Sequence, residues 1–312
     1  MKKNLFITLF LILFFKHSYL IINIVRDTTI LFFNKIFISL FPFMILSEIL
    51  FYFDYHIFLS KTPLGKLLNK LFNSNEITSS IFIFSILSSS PNNAIYIKNM
   101  LDNKQINEEE ATNILCYTHF PSIIYVTTTI GILIFNDIKI GIILYLNCIL
   151  NNILIAIFLR KNKIISQNQI KTKKESFINT LKNSILKSIN NLYIILTTII
   201  IFSIILNILK LTLNLNSKTI LLLSSILELS NTINIISNIN LNTQLKLLIT
   251  SFSLNFSTLS ILFQSFQILS NYKINIKKIL IIKLIFSLIT SLSLYILTFQ
   301  TICITLSTPF YK

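Results

Sequence analysis

Residues 78–101 read TSSIFIFSILSSSPNNAIYIKNML, an apolar run that stops at Ser88-Ser89-Ser90-Pro91-Asn92-Asn93 and resumes at Ala94. A helix crossing a hydrocarbon core of about 30 Å needs about 20 consecutive apolar residues, and this run falls short. Ser is a favoured helix cap and Pro suits the first helical position, so the spacing predicts a helix ending near Ser88, a cap at Ser90 and a new helix from Pro91. Backbone that leaves a helix at membrane depth is tolerated only against protein or a water-filled cavity. The competing reading is an ordinary turn outside the membrane between two short helices.

Outward from that stretch the chain is apolar almost throughout. Of its 312 residues, 53% are hydrophobic and only 12% charged, about half the charged share of a soluble domain, too few to solvate a soluble fold of this size. The expected fold is all-α: a polytopic helical membrane protein, multi-pass in the cell membrane, with the lipid bilayer as its partner. The net charge of +16 does not signal nucleic acid. Lys and Arg gather between apolar runs, where membrane proteins place cytoplasmic charge, not on an aromatic-interleaved basic face. Cys116, Cys148 and Cys303 stand in separate apolar runs without ligand spacing and read as buried free thiols. His17, His56 and His119, far apart, read as interfacial rather than as metal ligands. No enzyme motif, cofactor site or metal site is expected. With 3 glycines and no tryptophan, the composition suggests AT-rich coding, which leaves close helix contacts to Ser, Thr, Ala and Asn.

Apolar runs place helices near 4–25, 28–53, 111–135, 138–159, 188–209, 219–237, 244–269 and 279–299, about seven of them spanning. Lys16-His17-Ser18 offers no small-residue cleavage site, so the N-terminal run is expected to stay as a helix. The charge rule puts Lys2 and Lys3, the segment with Lys61, Lys66 and Lys70, the basic linker 160–187 and Lys273–Lys278 in the cytoplasm. These assignments agree only if 78–101 and 244–269 are re-entrant, entering and leaving on one side. The chain divides into a first transmembrane half (1–161), a basic linker (162–187) and a second half (188–312). Each half has a long helix, a broken segment and a closing helix, and such paired interruptions point to a transporter-like binding site.

Two carboxyl groups lie inside apolar runs, Glu48 and Glu228; a charge at the bilayer centre costs about 2.5–3.5 kcal/mol on insertion scales, which marks both as functional candidates. Ser230 and Asn231 follow Glu228 within a turn. At Pro91 a helix N-terminus at membrane depth would attract an anion, and Asn255 with Ser257 could form the matching element. Glu108-Glu109-Glu110 fits a solvated helix start capped by Asn107.

The order LFPFMILSEIL, then SSSPNNAIYIKNMLDNKQINEEEATNILCYTHFPSIIYVTTTIG, then LELSNTI and NFSTLSILFQSF, resembles the YlbJ-type sporulation integral membrane proteins, which carry the nucleoside-recognition Gate domain. The resemblance spans nearly the whole chain. It implies movement of dipicolinate, a small organic anion, from the mother cell toward the spore, with Glu48, Pro91, Asn92, Glu228, Asn231 and Gln264 at matching positions. Ser89 and Asn93 stand where that family has glycines, and its glycines near Asn255–Thr258 are also replaced. The full expected pathway set is Glu48, Ser90, Pro91, Asn92, Asn93, Glu228, Asn231, Asn255, Ser257 and Gln264. Competing expectations are a nucleoside substrate, or a non-transporting scaffold or assembly subunit that binds partner helices; homo-oligomerisation stays open.

Overall fold

The structure, a computed structural model, describes residues 8, 12, 14–73, 76–160 and 176–307. Every regular element among them is a helix. Helix α1, Ser18–Tyr52, is 35 residues long. Arg26-Asp27 do not divide it as expected, because neither residue removes a donor from the i→i−4 ladder. Its irregularity is a π-helical turn at Phe32–Phe37, upstream of Pro42, whose ring cannot join that ladder. Of the expected helix at 4–25, residues 18–25 form the start of α1, while 4–7, 9–11 and 13 lie outside the described residues.

Two short helices follow, α2 (Tyr55–Lys61) and α3 (Pro63–Phe72). The interrupted stretch forms α4 (Glu76–Ser88) and α5 (Asn92–Asp102). Helix α6 (Glu108–Tyr117) starts at the expected cap: Asn107 Oδ1 accepts from the Glu110 N–H at 2.8 Å, and Glu110 Oε2 from the Asn107 N–H at 2.9 Å. The run 111–135 is not one helix. Residues 118–122, containing Pro121, are non-helical, and α7 (Tyr125–Phe135) resumes beyond them. Then come α8 (Ile138–Phe158) and α9 (Phe177–Thr212), which takes in residues 177–187 of the expected linker; 161–175 lie outside the described residues. The single helix expected at 219–237 is two, α10 (Ser217–Leu227) and α11 (Leu229–Asn238), parted at Glu228. Last are α12 (Thr243–Phe256), α13 (Leu259–Ile268) and α14 (Ile276–Ser307).

Two apolar clusters give the helices their directions. Leu115 of α6, Ile155 of α8, Leu269 after α13 and Ile279 of α14 share one. Ile130 of α7, Leu144 of α8, Leu247 of α12 and Leu294 of α14 share the other. So α6–α7, α8, α12–α13 and α14 each run from one cluster to the other. Beside the first cluster lies a basic end of the bundle. There Tyr272 donates to Asp102, the Lys273 N–H donates to Glu108 Oε1 at 2.9 Å, and Lys278 Nζ donates to Asn113 Oδ1 at 2.6 Å. Both limbs of α4–α5 stay in the first cluster, through Phe82 and Ile97. This hairpin enters and leaves at the basic end, as the charge rule requires. Helix α11 contributes Leu229 and Ile233 to the second cluster, and α10 and α11 join the far ends of α9 and α12. The second re-entrant hairpin is therefore α10–α11, not 244–269, which runs from end to end.

Counted this way, the halves share one order with opposite direction. A long helix (α1; α9) is followed by a hairpin (α4–α5; α10–α11), a broken crossing (α6–α7; α12–α13) and a closing helix (α8; α14). Among the described residues five helices are long and apolar enough to cross a membrane, against the expected seven: one helix replaces those at 4–25 and 28–53, the run 111–135 is broken and 219–237 is a hairpin, while 244–269 crosses. The protein is an all-α polytopic membrane protein.

Packing is inverted relative to a soluble bundle. On α14, Lys283, Ser287, Thr290 and Ser291 are buried, while Ile281, Leu284, Ile285, Leu288, Ile289 and Leu292 are exposed. Apolar side chains face outward where lipid would solvate them, and small polar ones mediate helix contacts. The few glycines sit where backbones touch: a Cβ on Gly141 of α8 would fall 2.6 Å from Thr127 Cα, and one on Gly131 would fall 3.2 Å from Gly141 Cα.

Candidate functional site

The four interruptions, two from each half, meet. Ser90 from the α4–α5 tip, Phe120, Pro121 and Ser122 from the break after α6, Glu228 and Ser230 from the α10–α11 tip, and Ser260 and Gln264 after the α12–α13 break line one central cavity of about 70 Å³. Leu40 of α1 and Ile195 and Ile199 of α9 close its apolar side, with Tyr125 at the start of α7. The breaks also bind one another: the Ser90 N–H donates to the Phe120 carbonyl at 2.8 Å.

Each tip has its own local cause. At the first, Ser89 takes a left-handed conformation (φ 60°) and turns the chain out of α4. The expected cap is not made. Pro91 holds the N-cap position and has no polar side-chain atom to cap with, and the Ser90 hydroxyl finds no partner among the described residues. At the second tip Glu228 is fully extended (φ −152°, ψ 125°), and its carboxylate caps α11. Oε1 accepts from the Ser230 N–H at 3.0 Å and Oε2 from the Asn231 N–H at 2.7 Å. Both carboxyl oxygens are thereby taken up by backbone donors, at the positive end of the α11 dipole.

Glu48 stands apart. It lies at the floor of a second, larger cavity of about 580 Å³ at the basic end, lined also by Asp54, His56, Asn99, Asp102, Gln105, Thr180 and Lys187. Glu48 Oε2 is 3.9 Å from Lys187 Nζ, while Oε1 is buried without a partner among the described residues. Next in sequence to the vestibule-lining Glu48 and Asn190, Ser47 and Asn191 both meet the α5 start: Asn92 Nδ2 is 3.5 Å from Ser47 Oγ and 3.4 Å from the Ser88 carbonyl, and Asn191 Nδ2 is 3.5 Å from Asn92 Oδ1. An aromatic stack braces this side, with Phe51 on Tyr96 at 4.5 Å and on His56 at 4.3 Å. Burial pushes the His56 imidazole down to about 4, against a smaller opposing pull from Asp54.

Of the expected pathway residues, Ser90, Glu228 and Gln264 line the centre and Glu48 lines the vestibule; the others hold the frame. Asn93 Nδ2 donates to Thr118 Oγ1 at 3.3 Å, and Asn231 Nδ2 to Ser203 Oγ at 2.7 Å. Asn255 belongs to a knot joining α8, α12 and α14. Its Nδ2 is 2.6 Å from Asn147 Oδ1 and 3.0 Å from Thr290 Oγ1, and Thr290 Oγ1 is 3.1 Å from Asn151 Oδ1. Ser257 (φ 62°) turns the chain out of α12 without reaching the cavity. His119, expected at an interface, is buried in the break beside the cavity. Its Nδ1 is 2.7 Å from the Leu115 carbonyl and its Nε2 is 3.0 Å from Ser265 Oγ. Sequence reasoning missed this break, although Thr118-His119-Phe120-Pro121 inside an apolar run was a signal for it.

Compared with protein-family models, curated proteins and solved structures, the chain matches none. What fold and site define together is a class: a polytopic helical membrane protein of two inversely oriented halves, whose broken helices enclose a small cavity with a few polar groups among apolar walls.

Proposed function

We propose that this protein is a secondary transporter of a small organic solute, working by alternating access between its halves. One observation carries the reading: four helix interruptions, two from each half, converge on a single cavity. Broken helices meeting at a repeat interface are the arrangement that secondary transporters use to bind solute at the bilayer midplane. At about 70 Å³ the cavity is well below the roughly 300–1,000 Å³ of ordinary ligand sites, in keeping with a conformation closed on its centre. The vestibule then serves as the approach from the basic, cytoplasmic side, and the Ser47–Asn92–Asn191 contacts as the barrier that must part.

The lining selects the solute. It offers one carboxyl, one amide, several hydroxyls and two aromatic rings, with no cation among the described lining residues. A dicarboxylate such as dipicolinate, which the resemblance favours, shares this space with Glu228 only when a proton accompanies it, since two carboxylates in a dry site repel. A neutral nucleoside needs no such proton and is the second reading, favoured by Phe120 and Tyr125. The left-handed serines Ser89 and Ser257 support the resemblance, standing where it expects glycine.

Uptake of labelled dipicolinate and labelled uridine into proteoliposomes tests this. Uptake of either solute above empty liposomes, lost in Glu228→Gln, is expected. With folded protein confirmed, uptake of neither in either direction would leave the scaffold reading in its place.

A further inference from the structure

Lys283 is an exception among the described basic side chains. It lies on α14, eight residues into the helix, and is 0% exposed. Its Nζ has no hydrogen-bond partner among the described residues. Unpaired ammonium groups are strongly disfavoured inside a protein at membrane depth, and ionisable residues kept there mark ion or proton pathways.

Its surroundings narrow the role. The elements packed against α14 are α12, α8 and α6. The titratable groups within electrostatic reach of Lys283 from them are Cys116 on α6, Cys148 on α8 and His119 in the break. None is a carboxylate, so no fixed counter-charge is built in; on its own helix the nearest charge is Lys278, which is engaged by Asn113. Lys283 lines neither the central cavity nor the vestibule, and a small-molecule anion would have no room against Nζ. A proton needs none. The group nearest in chemistry, His119, contacts Ser265, which follows the cavity-lining Gln264.

We propose that Lys283 is the coupling-proton site of the transport cycle, losing its proton as α6, α8 and α14 close around it and regaining it when they part. The site rests on the transporter reading for its purpose. The linkage itself is a property of the fold: if the closed packing admits only the neutral amine, acid favours opening and base favours closing. The step is a simple acid–base exchange, R–NH3⁺ giving R–NH2 and a proton handed to the His119–Ser265 side.

The experiment uses the full chain in liposomes with Cys303→Ser, leaving Cys116 and Cys148, both buried beside Lys283, as reporters. The labelling rate by a membrane-permeant maleimide is measured from pH 6 to 9 with Lys283 intact and with Lys283→Met and Lys283→Gln. The ratio of parent to variant at each pH removes the thiol ionisation they share, and the direct pull of Lys283 on Cys116 and Cys148 is controlled by repeating the ratio with a Ser90→Cys reporter in a Cys116→Ser, Cys148→Ser background. One coupled proton makes that ratio rise toward acid by up to about tenfold per pH unit. A ratio that stays flat across the range in both variants overturns the proposal. A flat ratio beside normal dipicolinate or uridine uptake removes the proton site and leaves the transporter standing. A pH-dependent ratio without uptake of either solute keeps the site and sinks the transporter reading. If Lys283→Met fails to fold, Lys283→Gln carries the comparison alone.

Discussion

The two hairpin tips hold equivalent places in opposite halves, yet they solve the same problem with different chemistry. The first tip, at Ser89–Pro91, turns through a left-handed serine and leaves the start of α5 without a side-chain cap. The second tip fills its own helix N-terminus with Glu228. One tip thus presents a free hydroxyl to the cavity and the other an acceptor already bonded from behind. An inverted repeat conserves where the backbone breaks, and each half is free to choose what the break offers. On the transporter reading, a solute held between the tips would meet different partners on its two sides.

That asymmetry can be broken from either side. Glu228→Ala should have the largest effect, removing both cap bonds at the second tip. We expect loss of uptake and destabilisation of about 1–2 kcal/mol, the range for losing a helix cap, read as a lower melting temperature in detergent; Glu228→Gln should lose uptake while keeping most of the stability. On the first side, the vestibule stack makes stability fall with acid. An unfolded chain protonates His56 near 6.5, and the folded chain only near 4. The contribution is therefore intact above pH 6.5 and lost as pH falls from there to 4. Thermal melts across that window should show the decline, and His56→Phe should flatten it. Asn92→Ala, which cuts the contacts to Ser47 and Asn191, should cost about 0.6 kcal/mol, near the average for membrane hydrogen bonds, and should speed labelling of a cysteine placed at Ser90. The smallest change is a gain: Ser89→Gly relieves a left-handed residue and should stabilise by about 0.5–1 kcal/mol. A loss there would mean that the serine side chain holds the first tip together.

Composition and charge spacing were enough to read the membrane class, the basic end and the interruption at 88–93, because each depends on bulk hydropathy or on a dense polar cluster. Glu228 was legible as a lone acid, but not as a break, since an extended residue between two good helical runs leaves no Gly or Pro behind. The same ambiguity assigned the second hairpin to 244–269: polar residues such as Asn255 and Ser253 mark a disturbed helix whether it turns back or crosses. Direction came only from which cluster each limb joins. Lys283 was not singled out: it stands inside the apolar run 279–299, five residues beyond the basic group that ends at Lys278, and sequence alone does not say which face of that helix is buried.

The glycine at 141 has a further consequence. The whole chain holds three glycines, and at each one an added Cβ would meet backbone within about the closest distance real side chains show. Where glycine is so rare, the glycines present become information about three-dimensional proximity. In a composition this skewed, scarcity itself works as a contact map, and rare residue types deserve to be read as constraints before the abundant ones are read as pattern.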